Sequence, residues 1–329
     1  MLEQQRHIDL HLPTGWNQAT TEELEHIAAA ILDGQQRIDR YHPFDWERVK
    51  LMVVLGVNKM QVVSQEQPTE EPAGTEPADS TWLVKRDGDD EPWPISTGQI
   101  YSLCERLQWL DDEKADKTVF VFPYQEITLR RTAGHSDSDA LTVVGPPPLL
   151  DGYTWQEYRW LTDWMQEYLR IGNALVAGNG NRERLLQGQQ RVRNEFLAVL
   201  FKRKDDNQDN RDNGSAPAST HPSPLTPHHF QDFDAVQWQV ILFWWSSLMA
   251  ILARKFPKVF KSQQVPKRRQ KADTPWDFYN RVIATIQKYV GGLSEQDVNT
   301  ASYGTILQQL DMMAREAEEM ERLNKKYKK

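Results

Sequence analysis

Two long segments with almost no apolar residues interrupt the chain and limit what it can fold into. Residues 64–80 are rich in Pro and Glu, and residues 204–228 are rich in Asp, Asn, Ser and Pro. Neither segment can bury enough apolar surface to offset the conformational entropy that ordering would cost. We therefore predict two linkers, which separate an N-terminal helical segment 1–63, a middle α+β domain 81–203 and a C-terminal helical region 229–329.

Most of the remaining sequence has the pattern of amphipathic helices. Three Ser/Thr-x-x-Glu/Gln sequences precede apolar residues at helical spacing, which is typical of a capping box at a helix start. These boxes begin at Thr20, Ser96 and Thr154. Asp45 predicts a further helix start because Asp is a favoured N-cap, and Gly34 is predicted to end the first helix. The pattern favours a mainly helical fold.

Four short runs of β-branched and aromatic residues interrupt the helical pattern. Residues of this kind are enriched in strands, and Gly and Pro residues separate several of the runs. The runs are Trp82–Val84, Val119–Phe122, Ile127–Leu129 and Leu141–Val144. We therefore predict a mainly α protein with a small antiparallel β insert, an α+β fold with a helical C-terminal region.

The last predicted helix begins near Thr300 and has a narrow apolar stripe. The stripe residues alternate between spacings of four and three: Ile306, Leu310, Met313, Ala317 and Met320. Charged residues flank the stripe, and its width suits pairing with one other helix. We predict that the stripe docks a partner. The alternative is that it packs back onto a helix over Trp276–Val290 as an intramolecular hairpin.

The stretch between Arg254 and Lys271 locally reverses the charge of the chain. The whole sequence has 39 basic and 47 acidic residues, a net charge of −8. This stretch has eight basic residues and no acidic one: Arg254, Lys255, Lys258, Lys261, Lys267, Arg268, Arg269 and Lys271. Such a cluster can bind a polyanion by releasing counterions. Nucleic-acid binding is therefore one hypothesis, and an exposed loop that balances acidic surface elsewhere is the other.

The sequence contains no recognisable catalytic, cofactor or metal motif. The single cysteine, Cys104, excludes a disulfide framework within the chain and zinc sites built on several cysteines. His7 and His11 have the one-turn spacing of metal ligands, but the HExxH arrangement is missing. Neither GxxxxGK[ST] nor GxSxG occurs. We therefore predict a protein that is not an enzyme, with no catalytic residue, no cofactor and no metal site.

One apolar segment, Val236–Ala253, approaches the length of a membrane span. Gln237, Gln239, Ser246 and Ser247 interrupt it, whereas a span needs ~20 predominantly apolar residues. We therefore predict a buried helix of a soluble core rather than a membrane partner. The first residues lack the apolar run of a signal peptide, so the expected location is cytoplasmic.

Three sequence phrases carry a resemblance to known proteins. They are LPTGWNQATTEELEHIAAAIL, VVGPPPLLDGYTWQEYRWL and TPWDFYNRVIATIQKYVGG, the last leading to LQQLDMMAREAEEMERLNKK. Their texture resembles uncharacterised proteins from tail-gene regions of Bacteroidetes phages and prophages, and the helical end resembles tail-assembly chaperones. The resemblance implies a non-catalytic assembly factor or minor structural protein of a phage-tail-like particle. Such a protein would act through protein partners in the bacterial cytoplasm or in the virion. The resemblance transfers no functional residue.

Overall fold

A computed structural model shows two compact units, each built from two separate parts of the chain. Unit 1 consists of Met1–Pro123 and Asp234–Ser247, and unit 2 consists of Tyr124–Phe233 and Leu248–Lys329. The residues that the structure describes are 10–38, 43–66, 80–112, 115–129, 141–204, 225–260, 282–288, 291 and 293–327. The unit boundaries differ from those of the five predicted segments, because the chain returns to unit 1 after building much of unit 2.

Helices dominate the described residues. In chain order the helices are α1 (Thr21–Gln36), α2 (Trp46–Val57), α3 (Thr97–Glu105), α4 (Trp155–Val176), α5 (Arg182–Leu200), α6 (Ala235–Lys255), α7 (282–288), α8 (Glu295–Thr300) and α9 (Tyr303–Tyr327). The strands are β1 (Met60–Glu66), β2 (Thr81–Arg86), β3 (Trp93–Ser96), β4 (Glu126–Leu129), β5 (Leu141–Val144) and β6 (Lys202–Arg203). Helix α7 lies within the predicted helix Trp276–Val290, whose remaining residues are outside the described part of the chain.

The strands form two small antiparallel sheets, in the orders β1–β2–β3 and β4–β5–β6. Together with the helices and the helical C-terminal end, they confirm the predicted mainly α fold with a small antiparallel β component. Strand β1 was not predicted. It pairs Met60 with Arg86 at one end and includes residues 64–66, which the sequence had assigned to the first linker. The central parts of both predicted linkers, 67–79 and 205–224, lie outside the described residues.

The helix starts in unit 1 follow the sequence prediction, but the end of α1 does not. Thr20 forms the predicted capping box with Glu23, and Asp45 caps α2. Gly34 was expected to end α1, yet the helix continues to Gln36. A Cβ atom on Gly34 would lie 2.9 Å from the ring of Phe44. The glycine therefore lets the ring of Phe44 pack closely against α1, and it does not end the helix.

The predicted strand Val119–Phe122 is wrong. The backbone N–H of Val119 donates to Ser247 Oγ at 2.8 Å rather than to a neighbouring strand, and no strand is assigned to this run. Val119 and Phe122 are buried, and Phe122 packs edge-to-face against Trp244 with ring centroids 4.8 Å apart. This run is therefore a loop, and Val119 and Phe122 contribute to the core from it.

In unit 2, the starts of α4 and α9 are joined through the backbone. The N–H of Trp155 donates to Ala301 O at 2.8 Å, and the N–H of Tyr303 donates to Tyr153 O at 3.1 Å. This pairing holds Ala301 in an extended conformation. The predicted last helix, expected to begin near Thr300, begins at Tyr303 as α9, and the short helix α8 ends just before it at Thr300.

Among the described helices, α6 alone is long and apolar enough to cross a membrane. Its large side chains are mostly buried within the protein, including Trp238, Ile241, Trp244 and Leu252. A helix with apolar residues on all sides is expected either in a membrane or at the centre of a core, and 44% of the most apolar window of α6 is buried inside the protein. The cytoplasmic location stays a prediction.

Candidate functional site

The first part of α9 belongs to the core of unit 2. Tyr303, Ile306 and Leu307 are each at most 4% exposed. The ring of Tyr303 stacks on Tyr158 of α4 at a centroid distance of 4.8 Å, and α9 packs against α4. Three of the first five residues of α9 are therefore buried inside the unit rather than part of a free surface.

Exposure increases along the predicted stripe. Ile306 is buried, Leu310 and Met313 are half-buried, and Ala317 and Met320 are exposed. The docking stripe thus divides into a proximal part that packs within the protein and a distal part that faces solvent. The sequence prediction did not separate these two parts.

Two exposed apolar residues extend the stripe beyond Met320. Tyr327 is 85% exposed and lies seven residues after Met320, which itself lies seven residues after Met313. Leu323, 37% exposed, stands at the edge of the same face. We call Met313, Ala317, Met320, Leu323 and Tyr327 the distal seam. The seven-residue repeat was the signal that could have identified its last members from the sequence.

A buried carboxylate marks the boundary between the two parts of α9. Asp311 Oδ1 accepts the backbone N–H of Lys258 at 2.9 Å, and Asp311 Oδ2 accepts from Arg315 Nε at 2.7 Å. The ammonium group of Lys258 also forms an ion pair with Glu318. A buried carboxylate needs such partners because unpaired burial of a charge is costly. These contacts fix α9 as far as Glu318.

After Glu318 the described helix is supported mainly by local ion pairs. Lys325 Nζ lies 2.6 Å from Glu321 Oε1, and Arg322 lies 3.8 Å from Glu319. The hydrogen bond from Lys325 lowers the pKa of Glu321 below its usual value. Exposed pairs of this kind stabilise a helix only weakly. This part of α9 is therefore a solvated helix with an uncovered apolar face.

The basic stretch is only partly described. Lys258 is neutralised by Glu318, and the Lys255 ammonium lies 5.4 Å from the centroid of the Phe256 ring. Arg254 Nε is 3.5 Å from the carbonyl oxygen of Ala250. The other predicted polyanion-binding residues lie outside the described residues: Lys261, Lys267, Arg268, Arg269 and Lys271. Nucleic-acid binding through this stretch stays a prediction.

Two residues that the sequence analysis considered for metal binding or nucleophilic chemistry, His11 and Cys104, lie in the described part of the chain. His11 Nε2 pairs with Glu23 Oε1 at 2.7 Å, while His7 lies outside the described residues. Burial raises the pKa of the Cys104 thiol to about 11, which keeps it protonated at neutral pH. No group of three His, Cys, Asp or Glu side chains that could hold a metal occurs in the described part of the chain.

Comparison with known proteins adds no identity to these observations. The chain matches no protein-family profile, no curated protein and no solved structure.

Proposed function

We propose that this protein is a non-catalytic assembly factor or minor structural protein of a phage-tail-like particle and that it acts through protein–protein contacts. The single observation that carries the proposal is the distal seam, an apolar face on a helix that extends beyond its own core. Met320 is 59% exposed and Tyr327 is 85% exposed. A helix with such a face gains stability when a partner covers it.

The dimensions of the seam indicate what kind of surface would cover it. From Met313 to Tyr327 the helix rises about 21 Å, and a strip about 10 Å wide along it offers roughly 210 Å² of face. Stable interfaces bury about 600 Å² or more on each partner. A second copy of this strip would therefore be too small. The dimensions favour a groove between helices of another protein, which would also contact the flanks of α9.

The charged residues beside the distal seam indicate which charges the edges of such a groove would carry. Residues 316–321 contain four Glu residues, and residues 322–326 contain one Arg and two Lys residues. A partner with a basic rim opposite the first group and an acidic rim opposite the second would be complementary along the whole strip. A parallel second copy would place like charges together, and an antiparallel second copy, although complementary in charge, would still offer too small a face.

Co-expression with the proteins of neighbouring genes tests the proposal. We expect one of them to copurify with the full chain and to lose at least tenfold in affinity for the double variant Met320→Glu, Leu323→Glu, because the charges disrupt the apolar contact. Val176→Glu is the matched control. Val176 is an apolar residue at the end of α4 that is 92% exposed, so its substitution should leave binding unchanged.

Two results would contradict the proposal. If a neighbour-encoded protein binds the wild type and the double variant equally, the distal seam is not the docking surface. If none of these proteins binds the wild type, the assembly role itself is wrong.

A further inference from the structure

A cleft of about 580 Å³ opens within unit 2, beside the first half of α9. It is lined by Leu252, Lys255 and Phe256 at the end of α6 and by residues of the segment between Ser302 and Arg315. Small-molecule sites in proteins have volumes of ~300–1,000 Å³, so the cleft is large enough to hold an organic ligand.

Several polar groups in the cleft have no partner among the described residues. Among the described residues, no carboxylate lies within ion-pair distance of the Lys255 ammonium, which instead contacts the Phe256 ring. The hydroxyl groups of Ser302 and Thr305 and the amide of Gln308 likewise have no hydrogen bond to another described residue. These groups are available to a ligand.

The charge balance of the cleft is positive. Asp311 is its only carboxylate among the described lining residues, and this group is fully engaged by Arg315 Nε and by the backbone N–H of Lys258. The Asp311–Arg315 pair is therefore neutral as a unit, and the Lys255 charge is left uncompensated. A charge of this sign near the mouth of a cleft favours an anion.

The remaining lining is apolar. Leu252 and Phe256 are buried, whereas Leu149 is half-buried and Met312 is 53% exposed. A purely ionic ligand such as inorganic phosphate would leave Leu149 and Met312 in contact with water. A ligand with an anionic head and an apolar body would use both kinds of surface.

We infer that this cleft is a binding site for a small amphipathic organic anion, with the anionic head at Lys255 and the hydroxyls of Ser302 and Thr305. The apolar body would lie against Leu149 and Met312. This inference goes beyond the docking role of α9 and does not depend on it, since the cleft lies along the proximal half of the helix.

Calorimetric titration of the full chain with octanoate tests the inference, with acetate and 1-octanol as partial ligands. Octanoate should bind with a stoichiometry of one, and both acetate and 1-octanol should bind at least tenfold more weakly. Acetate lacks the apolar body and 1-octanol lacks the charge, so the pair separates the two contributions. Equal affinity of octanoate and either partial ligand, or the absence of octanoate binding, would overturn the inference.

Two substitutions of neighbouring cations locate the site. Lys255→Gln should weaken octanoate binding roughly five- to tenfold, because it removes an exposed charge-assisted contact. Arg254→Gln removes the same charge from the adjacent position, which does not line the cleft, and should change affinity less than twofold. Equal losses in both variants would show a general charge effect and reject the site. Failure of these tests would leave the docking proposal untouched, because Met320 and Leu323 lie outside the cleft.

Discussion

Helices α6 and α9 have similar lengths but opposite relations to the protein around them. The 21 residues of α6 are apolar on nearly every side, and its Trp side chains at 238, 244 and 245 are buried. The 25 residues of α9 carry one apolar stripe, of which the first part is buried and the rest is exposed. The comparison shows that a stripe identifies the face of a helix that can be covered, whereas the surrounding structure decides how much of it is covered.

The largest expected effect comes from shortening α9 at two positions. Truncation after Thr305 removes Ile306, Leu307 and Asp311, and core losses of this kind cost ~2–5 kcal/mol for each large side chain. Because domains are stable by only ~5–15 kcal/mol, unit 2 should lose its cooperative melting transition. Truncation after Glu318 retains these contacts and should change stability by less than about 1 kcal/mol. Circular dichroism melts of both variants measure the difference.

Equal destabilisation by the two truncations would contradict the distinction between a buried first part and an exposed second part of α9. It would mean that the distal part of α9 is as well packed as the proximal part, and the seam would then belong to the core.

The second effect compares one side chain from each helix. Trp244→Ala should destabilise the protein by ~3–5 kcal/mol, because the ring is 2% exposed and packs edge-to-face on Phe122. Met320→Ala should change the free energy of unfolding by less than about 0.5 kcal/mol. Chemical denaturation of both variants provides the test, and a Trp244→Ala effect as small as that of Met320→Ala would show that α6 is not a core helix.

The smallest effect concerns the helix cap beside the start of α9. Burial would raise the pKa of Glu157, but its bonds to Lys202 and Thr154 outweigh burial, so the pKa is below the usual value. A carboxylate with a lowered folded-state pKa stabilises the fold above its unfolded pKa, and this stabilisation disappears as pH falls through the folded pKa. Glu157→Gln should therefore cost about 1 kcal/mol at pH 7 and progressively less in acid.

Denaturation curves between pH 7 and pH 3 check the sign of this effect. A Glu157→Gln variant whose stability deficit grows as pH falls would contradict the assigned role of the carboxylate.

The helix starts were predictable because their chemistry is local. Thr20, Ser96 and Thr154 each form the capping box that the sequence indicated, since cap and partner are three residues apart. The errors lie where distant residues decide the outcome. Gly34 continues a helix because of Phe44, and the run from Val119 to Phe122 is a loop because of Ser247 and Trp244.

The sequence predicted which face of α9 is apolar, but it did not predict how much of that face is exposed. Periodicity placed Ile306 and Met320 on one stripe, and both do lie along α9. It carried no information about α4, which covers one end of the stripe and leaves the other end bare. The cleft could not be predicted either, because Lys255 and Ser302, which both line it, are far apart in the sequence.

The discontinuous make-up of both units constrains how the chain folds during synthesis. The bond from Val119 to Ser247 closes a separation of 128 residues, and that from Tyr303 to Leu149 closes one of 154. Closing loops of this length costs on the order of 4 kcal/mol in chain entropy before any contact is formed. During synthesis, unit 1 therefore cannot be completed until α6 has been made, and α4 cannot form its contacts with α9 until α9 has been made. Each leaves apolar surface exposed meanwhile, so the nascent chain depends on protection until its last helix emerges.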